Sequence, residues 1–227
     1  MWKIAIILFL GGCGVTTQLP SHNFLGRQYI NSPLGEGRAP DSDPLMRFDA
    51  FDCTTFVETM MANGDIETLN QIRYKDGKIG FLNRNHFIES DWLVNNSDRV
   101  QNISANYGHT KVRHVVIDKK SWFKKVHNID TDFNPVAVEL EYIPYEFAKD
   151  LIVEKTMIVL FITDNADFRD KIGTDLAVVH MGLLMPNGVL RHASSERGAV
   201  VDVPFDEYVN ARKKNKNNLG IALVEIK

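Results

Sequence analysis

Seven segments rich in β-branched and aromatic residues fill the second half of the chain, and they constrain its fold more than any other feature. They begin at Val112, and glycines, prolines or short polar stretches separate most of them. Such residues favour strands, whereas the clearest helical patterns come earlier in the chain. This order predicts an α+β fold in which N-terminal helices pack on a mostly antiparallel β-sheet. The predicted strands are VRHVVID, VAVELEYI, MIVLFIT, DLAVVHMGLL, GVLRHAS, GAVVDVP and GIALVEI.

Two helices are predicted before the strands. Asp52 is a good N-cap, apolar side chains recur at helical spacing from Phe56 to Met61, and Asn63-Gly64 ends the pattern. A second short helix is predicted from Asp65 to about Arg73. Residues 75–109 are predicted to be rich in loops, and two later helices are predicted at Pro144 to about Val153 and Phe205 to about Lys213.

The N-terminus has the pattern of a signal peptide. A single cation, Lys3, precedes the apolar run Ile4 to Leu10, which is too short to span a bilayer. The ending Leu10-Gly11-Gly12-Cys13 resembles the lipobox of bacterial lipoproteins, whose cysteine is acylated and becomes the first mature residue. The alternatives are an ordinary secretory signal and a buried apolar strand with a chance cysteine.

The domain prediction follows from this pattern. Residues 1–12 are predicted to be the signal peptide, and residues 13–23 the lipidated N-terminus and a polar tether. Residues 24–227 then form a single domain. A lipoprotein of this kind is anchored in the membrane of a bacterial cell envelope. Gly14 is not the aspartate associated with retention in the inner membrane, so an outer-membrane location is favoured if the cell has two membranes.

The net charge excludes one class of partner. The formal charge is −3, and no long basic stripe is present, so nucleic acid is not expected to bind.

Cys53 is the residue whose chemistry matters most. The chain has two cysteines, so if Cys13 carries lipid, Cys53 has no partner within the chain for a disulfide. It is then either a small buried apolar residue or a reactive thiol.

A predicted hairpin brings two histidines together. Pro186-Asn187-Gly188 fits a three-residue turn, with glycine in the left-handed conformation. Met185 then faces Val189, which puts His192 opposite Gly182 and places His180 and His192 on one face of the sheet, within hydrogen-bonding reach. A two-residue Asn-Gly turn would put the two rings on opposite faces.

Three interpretations of this histidine pair are open from the residues alone. The two rings are partly exposed side chains on a sheet, or ligands of a zinc ion that needs a third ligand, or a relay that takes a proton from a thiol. The chain order of cysteine, histidine and a polar residue is that of papain-like enzymes.

Two blocks of the sequence resemble a known family. FDCTTFVE is similar to the Asp-Cys-Ser-Gly-Phe-Val motif of NlpC-type cysteine peptidases, which are papain-like enzymes that hydrolyse bacterial cell-wall peptides. VVHMGLLMPNGVLRHAS resembles the two histidine-bearing strands of that family and the turn between them. The resemblance covers about residues 24–63 and 156–227, and it implies a papain-like NlpC-type core.

Further segments resemble a subgroup of this superfamily. YINSPLGEG, FDCTTFVET and HFIESDWL together look like envelope proteins described as N-acetylmuramoyl-L-alanine amidase-like. The resemblance implies a lipoprotein that cuts the bond between the muramyl lactyl group and L-alanine in peptidoglycan or muropeptides, with no cofactor and no metal. The alternatives are a γ-D-glutamyl-diamino acid endopeptidase and a non-catalytic lipoprotein that binds peptidoglycan.

The resemblance also implies roles for particular residues. Cys53 matches the nucleophile, His180 the general base and His192 the third residue that orients it. Tyr29 falls where the family has a tyrosine near the nucleophile, which would help to hold the oxyanion or the substrate. Thr54-Thr55 departs from the commoner Ser-Gly, which weakens any inference about substrate fit.

Two expectations concern the site itself. A thiol at a helix N-terminus beside an imidazolium has a lowered pKa, so Cys53 is expected to be largely thiolate. The segment NRNHFIESDWL combines a cation, an imidazole, a carboxylate and an indole, and these groups could bind a charged muropeptide stem. Alternatively, the apolar side chains of the segment could anchor a loop to the core. The predicted substrate-binding residues in it are Arg84, His86, Asp91 and Trp92.

Overall fold

The computed structural model describes residues 20–227. The predicted signal peptide and Cys13 lie outside the described residues, so lipidation stays a prediction. The α-helices are α1 (Cys53–Met61), α2 (Ile66–Arg73), α3 (Leu93–Asn95), α4 (Lys119–Trp122), α5 (Tyr145–Ala148), α6 (Asp167–Ile172) and α7 (Phe205–Arg212). The strands are β1 (Gln28–Tyr29), β2 (Ala50–Phe51), β3 (Val100–Asn102), β4 (Lys111–Ile117), β5 (Val136–Pro144), β6 (Met157–Thr163), β7 (Val178–Leu184), β8 (Val189–Ser194), β9 (Ala199–Pro204) and β10 (Asn218–Ile226).

The strands form one large sheet that is mostly antiparallel, as predicted. Its order is β2-β1-β9-β8-β7-β6-β10-β5-β4, and β3 pairs with the end of β10. The short pair β1–β2 is parallel. The chain therefore has a mixed fold of helices on a large sheet, while the papain-like NlpC-type topology stays a prediction.

Helices cover both faces of the sheet. Alternate residues of β6 point to opposite sides, so Leu160 packs in the cluster that contains Phe56 of α1, whereas Phe161 packs in the cluster that contains Phe205 and Val209 of α7. All seven residues of β6 are buried. The second layer formed by α7 is the part of the architecture that the predicted order of helices and strands does not specify.

The start of α1 is fixed by a capping box. The Asp52 carboxylate accepts the backbone N–H of Thr55 at 2.7 Å, and the Thr55 hydroxyl accepts the N–H of Asp52 at 2.9 Å. Asp52 is thus the N-cap, as predicted, and Asp65 likewise caps α2. This pins Cys53 at the first position of α1.

The hairpin between β7 and β8 has the predicted register. Met185 N–H donates to the carbonyl of Val189 at 2.9 Å, and Gly188 has φ of +75°. Leu184 pairs with Leu190, which continues the same register toward Gly182 and His192. The pairing of β7 with β6 is irregular at Val179, because His180 faces Phe161 while Val178 faces Ile162. This bulge lies next to His180.

Other elements differ from the prediction. The helix predicted for residues 144–153 ends at Ala148, and α4 and α6 were not predicted. A one-turn 3-10 helix, Ser21–Phe24, begins within the stretch predicted as a tether, and the Ser21 hydroxyl accepts a hydrogen bond from Arg191.

A buried polar network holds the irregular loop of residues 30–44 against α1 and α2. Arg73 of α2 pairs with Glu58 of α1 at 2.8 Å and also donates to the carbonyl of Leu34. Arg84 pairs with Glu36 and Asp41 of the loop, each at 2.7 Å. The loop is therefore tied to the helix that carries Cys53. Within residues 20–227, none of the helices has both the length and the apolar character needed to cross a membrane.

Candidate active site

Cys53 lies where α1 meets β7. The thiol is partly buried, and the backbone of Met181 is close enough to interact with the sulfur. The N–H groups of the first helical turn have no partners within the helix, so they are available around Cys53. Cys53 thus lies against the strand that carries His180.

His180 and His192 form a hydrogen-bonded pair. Nε2 of His180 and Nδ1 of His192 are 2.7 Å apart, and the rings are nearly perpendicular. This bond engages Nε2 of His180, which leaves Nδ1 of the same ring for another group. The predicted hairpin register thus brings the two imidazoles together, and the nitrogens that face one another bond to each other instead of converging on an ion. Among residues 20–227, no group of three or more His, Cys, Asp or Glu side chains could hold a metal.

A cleft of about 420 Å³ contains both Cys53 and His180. We refer to it as the Cys53 cleft. Its lining includes no Asp, Glu, Lys or Arg side chain. The residues that line it are Cys53, Thr54, Asn85, His86, Ile88, Phe168, Leu176, Val178, Val179, His180 and Met181.

Burial keeps the groups of this site neutral. Burial, with a smaller effect from Asp52, raises the pKa of Cys53 to about 11. Burial, together with His192 and Arg212, holds the pKa of His180 well below its usual 6.5. Burial and Arg212 lower the pKa of His192 to about 4. These directions oppose the thiolate expected from the helix N-terminus, because burial disfavours the charged forms of the thiol and of both imidazoles. The protonation state of Cys53 stays a prediction.

In the neutral histidine pair, one ring donates the hydrogen bond and the other accepts it. For Nδ1 of His180 to accept a proton, the proton of the neutral ring must sit on Nε2, where it is donated to Nδ1 of His192. His192 must then remain an unprotonated acceptor, and a pKa of about 4 keeps it so at neutral pH. His192 thus selects the tautomer of His180 that can act as a base.

Alkylation of Cys53 is expected to report the raised pKa. In a Cys13→Ser background, the rate constant for iodoacetamide should rise steadily from pH 6 to pH 10, since the thiolate is the nucleophile. A thiolate paired with an imidazolium would instead give a rate that is already high and flat between about pH 5 and 8. Measurement of the rate against pH by mass spectrometry distinguishes the two, and a flat profile contradicts the neutral pair.

Gly182 makes room for His192. A Cβ atom at position 182 would lie 2.9 Å from Cβ of His192 and 3.0 Å from the carbonyl oxygen of Arg191. Such contacts are too close, so a side chain here must displace β8. Glycine at this position therefore preserves the distance between the two imidazoles.

We expect Gly182→Ala to lower kcat/KM by about 100-fold, because a shift of about 1 Å at a positioned group has effects of this size. The free energy of unfolding should fall by about 1–3 kcal/mol. The matched control is Gly80→Ala, whose added Cβ would meet its nearest neighbour at 3.5 Å and should change neither quantity. Wild-type kcat/KM in Gly182→Ala would show that the spacing of β7 and β8 does not matter for turnover.

Tyr29 lies near Cys53, in β1 between the edge strand β2 and β9. Burial, then Cys53 and Asp52, raise its pKa to about 12, so the phenol stays protonated and can donate a hydrogen bond. This agrees with the donor role that the resemblance implies, and that role stays a prediction.

The structure separates the four residues predicted to bind substrate. His86 lines the Cys53 cleft, and its Nε2 is 2.7 Å from the carbonyl oxygen of Phe81. Arg84 lies beside the cleft, where its charge is already paired with Glu36 and Asp41. Trp92 has no exposed surface and donates its indole N–H to Glu58, so it belongs to the core and not to the cleft.

Asp91 is also not in the cleft lining. Its carboxylate pairs with Lys119 at 2.9 Å, and the residue is buried. Its neighbour Glu89 accepts the backbone N–H of Ala177 at 2.6 Å, just before β7 begins. Asp91 and Glu89 are thus bonded within the protein, and Glu89 supports the start of the strand that carries His180.

Two residues of α7 at this site were missed. The Tyr208 ring packs on His192, with ring centroids 5.0 Å apart, and also on Phe161. Arg212 lies near both histidines and lowers their pKa values. No local motif marks these residues, because their position depends on β9 lying beside β8 and on α7 returning across the sheet.

Comparison with known proteins places this chain in a family. The model of the AmiA-like family, described as N-acetylmuramoyl-L-alanine amidase-like, matches residues 20–220. No curated protein matches the sequence at a significant level.

Solved structures give the same fold. A Legionella pneumophila protein of the DUF1460 family is 26% identical with a TM-score of 0.82, over 91% of this chain and 86% of that chain. An N-acetylmuramoyl-L-alanine amidase from Bacteroides uniformis is 25% identical with a TM-score of 0.68, over 91% of this chain and 95% of that chain. A Bacteroides fragilis protein named as a xylanase is 23% identical with a TM-score of 0.68, over 91% of this chain and 99% of that chain, and it shows the fold alone.

Proposed function

The chain belongs to the AmiA-like family of N-acetylmuramoyl-L-alanine amidase-like proteins, and from this premise we propose that it is a cysteine-dependent N-acetylmuramoyl-L-alanine amidase. The family indicates a hydrolase of amide bonds with a peptidoglycan-related substrate. The observation that supports cysteine catalysis is the 2.7 Å bond between His180 and His192, in which His180 lines the same cleft as Cys53. The substrate is the amide that joins the lactyl group of N-acetylmuramic acid to L-alanine, in peptidoglycan or in muropeptides.

The first half of the reaction forms a thioester. Sγ of Cys53 attacks the lactyl carbonyl carbon while its proton passes to Nδ1 of His180. The tetrahedral oxyanion is stabilised by the backbone N–H of Cys53 and by the Tyr29 hydroxyl. The C–N bond then breaks, His180 gives its proton to the leaving amine of L-alanine, and the acyl group remains on Cys53.

The second half releases the sugar. His180 takes a proton from a water molecule as that water attacks the thioester carbonyl. The C–S bond breaks, the proton returns to the thiol, and the muramyl lactyl carboxylate leaves. Burial raises the pKa of Cys53 to about 11, which favours proton transfer to His180 during the attack over transfer before it.

Mass spectrometry of muropeptides incubated with the protein tests this function. The expected products are a free stem peptide that begins with L-alanine and a disaccharide or sugar with a free lactyl carboxylate. A product that keeps L-alanyl-D-glutamate on the sugar, together with a released peptide that begins with the diamino acid, would assign the endopeptidase function instead. Binding without any cleavage would indicate a non-catalytic peptidoglycan-binding protein. Xylan, incubated in parallel, should give no products.

We also propose that the protein is lipid-anchored at Cys13 in the bacterial cell envelope. The support is the sequence pattern of residues 1–13 alone. The full-length protein should partition with membranes, and Cys13→Ser should lose a lipid-sized mass increment and move out of the membrane fraction. Wild-type protein without a lipid adduct would contradict the anchor.

A further inference from the structure

A second cavity reaches the histidine pair from outside the Cys53 cleft. It has a volume of about 390 Å³ and is lined by His192, whereas His180 lines the Cys53 cleft. The exposed side chains of Glu196 and Glu207 belong to the same lining, so water can enter this cavity. Solvent protons thus have a route to His192 that does not pass through the Cys53 cleft.

A proton on His192 would stop the proposed relay. Nδ1 of His192 is the acceptor for Nε2 of His180 at 2.7 Å. A protonated imidazole has a proton on both of its nitrogens and can no longer accept this bond. The neutral ring of His180 would then carry its own proton on Nδ1, which could not take a further proton from Cys53. His180 is therefore an active base only while His192 is uncharged.

Arg212 places a cation beside this pair. Its guanidinium carbon lies 5.6 Å from the centre of the Phe161 ring and 6.0 Å from that of Tyr208. The centre of the Phe161 ring is 5.5 Å from that of His180, and the centre of the Tyr208 ring is 5.0 Å from that of His192. A single aromatic ring thus separates the cation from each imidazole.

The charge of Arg212 is not cancelled by an acid. Among residues 20–227, Arg212 forms no ion pair, and its side chain interacts with the hydroxyl of Tyr145, which carries no charge. Asp202 is the carboxylate whose charge favours a proton on His192. Its two oxygens accept bonds of 2.7 and 2.6 Å from Arg191, which neutralises it. The field at the pair is therefore that of a cation.

The other ionisable groups around the pair oppose this field only weakly. Glu196 and Glu207 are exposed, where water and salt screen their charges. Burial, and then Arg212, lower the pKa of His192 to about 4, and Arg212 also lowers the pKa of His180 after burial and His192. The ionisable groups on the elements packed around the pair are Asp52 and Cys53 of α1, Tyr29 of β1, Arg191 of β8, Glu196 and Arg197 of the turn after β8, Asp202 of β9, and Glu207, Tyr208 and Arg212 of α7.

We propose that Arg212 is a positioning residue of the relay, which keeps His192 uncharged so that the proton shared by the two rings stays on Nε2 of His180. Arg212 acts through His192 and does not touch the substrate. Its charge has a second effect after His180 has taken the proton of Cys53, because a nearby cation disfavours the imidazolium and promotes transfer to the leaving amine. This effect on turnover rests on the proposed amidase function, whereas the effect on the pair belongs to the free protein.

NMR of the histidine rings tests the charge effect without a substrate. In Cys13→Ser protein with isotope-labelled histidines, the ring signals report the tautomer of each histidine and the pH at which the pair takes up its first proton. His180→Gln and His192→Gln assign the signals. Arg212→Gln should raise the proton affinity of the pair about tenfold, as expected for the loss of a cation at this separation. Arg212→Lys, which keeps the charge, should titrate close to wild type.

Two more variants complete the titration experiment. Arg212→Met keeps an alkyl chain against the Phe161 and Tyr208 rings, and it should shift the titration as Arg212→Gln does. The matched control is Arg197→Gln, which removes the other cation of the same cavity. It should titrate as wild type, because Arg212 and not Arg197 acts on the two histidines.

The pH dependence of muropeptide cleavage is the second readout. The acid limb of kcat/KM reports protonation of the pair in the free protein, and the protonated pair is inactive. Because Arg212→Gln raises the proton affinity of the pair, the limb should move to higher pH by the same amount as the NMR titration. The loss of kcat/KM in Arg212→Gln should therefore be larger at pH 5 than at pH 8.

The outcomes separate this role from the function of the protein. If Arg212→Gln titrates as wild type, or if Arg212→Lys shifts the titration as much as Arg212→Gln, the charge at this position does not control the pair and the proposal is wrong. Equal losses of kcat/KM at pH 5 and pH 8 would also overturn it, since they indicate a structural role alone. If the titration shifts as expected but no muropeptide is cleaved by wild type, the amidase function fails and the control of the pair by Arg212 stands.

Discussion

Cys53→Ala is expected to lower turnover of muropeptides by at least about 10⁴-fold, because removal of the nucleophile leaves no route to the thioester. The free energy of unfolding should change by about 1 kcal/mol or less, since the neutral, partly buried thiol forms no ion pair. Product formation is followed by chromatography of labelled muropeptides, with thermal melting measured in parallel.

Two further variants make this result specific. The control is Cys13→Ser, which removes the other cysteine and should keep wild-type turnover. In the double variant Cys53→Ala/His180→Ala, the loss should be no larger than in Cys53→Ala, because residues that act as one unit have non-additive effects. Residual turnover within about tenfold of wild type in Cys53→Ala would rule out cysteine catalysis.

Arg73→Met is expected to lower the free energy of unfolding by about 3–5 kcal/mol, because it leaves the Glu58 carboxylate in the core without a cation. Both side chains of this pair are about 97% buried. Arg73 also donates to Leu34, so the loop of residues 30–44 should loosen as well. Urea denaturation measures the change, and the destabilised variant should also show a higher KM if the loop supports the cleft.

The chain offers a matched control for this substitution. Arg99 pairs with Asp98 at 2.9 Å on the surface, and Arg99→Met should cost about 1 kcal/mol or less. The double variant Glu58→Leu/Arg73→Met should be more stable than Arg73→Met alone, since it removes the stranded charge. A loss below about 1 kcal/mol in Arg73→Met would mean that the pair does not contribute to stability in the way that its burial implies.

The parts of the fold that the sequence predicts well depend on local chemistry. The caps at Asp52 and Asp65 are set within one helical turn, and the hairpin register is set by Pro186-Asn187-Gly188. For the same reason, the approach of His180 to His192 could be predicted from residue types alone. The long buried strands were recognisable because β-branched and aromatic side chains pack well on a pleated, partly buried surface.

The rest depends on tertiary contacts. Trp92 is of a residue type that also occurs in binding sites, yet its indole lies in the core. No local sequence signal distinguishes a tryptophan of the core from one of a binding site. The pKa of Cys53 depends on how much of the thiol is buried, and the position of the residue at a helix start does not reveal that. Arg212 reaches the histidines through the order of the strands, which the pattern of strands along the chain leaves open.

The loop of residues 30–44 has little regular structure, but its backbone is already ordered. The N–H groups of Gly35, Glu36 and Gly37 bond to carbonyl groups within the loop, and Ser32 N–H bonds to the carboxylate of Asp52. Ordering one flexible residue costs about 1–2 kcal/mol in conformational entropy. A ligand that extends over Thr54 toward Ser32 contacts this loop. The loop is already ordered by folding, so ligand binding does not have to overcome its conformational entropy. Amide hydrogen exchange in this irregular segment should accordingly be as slow as in the helices beside it.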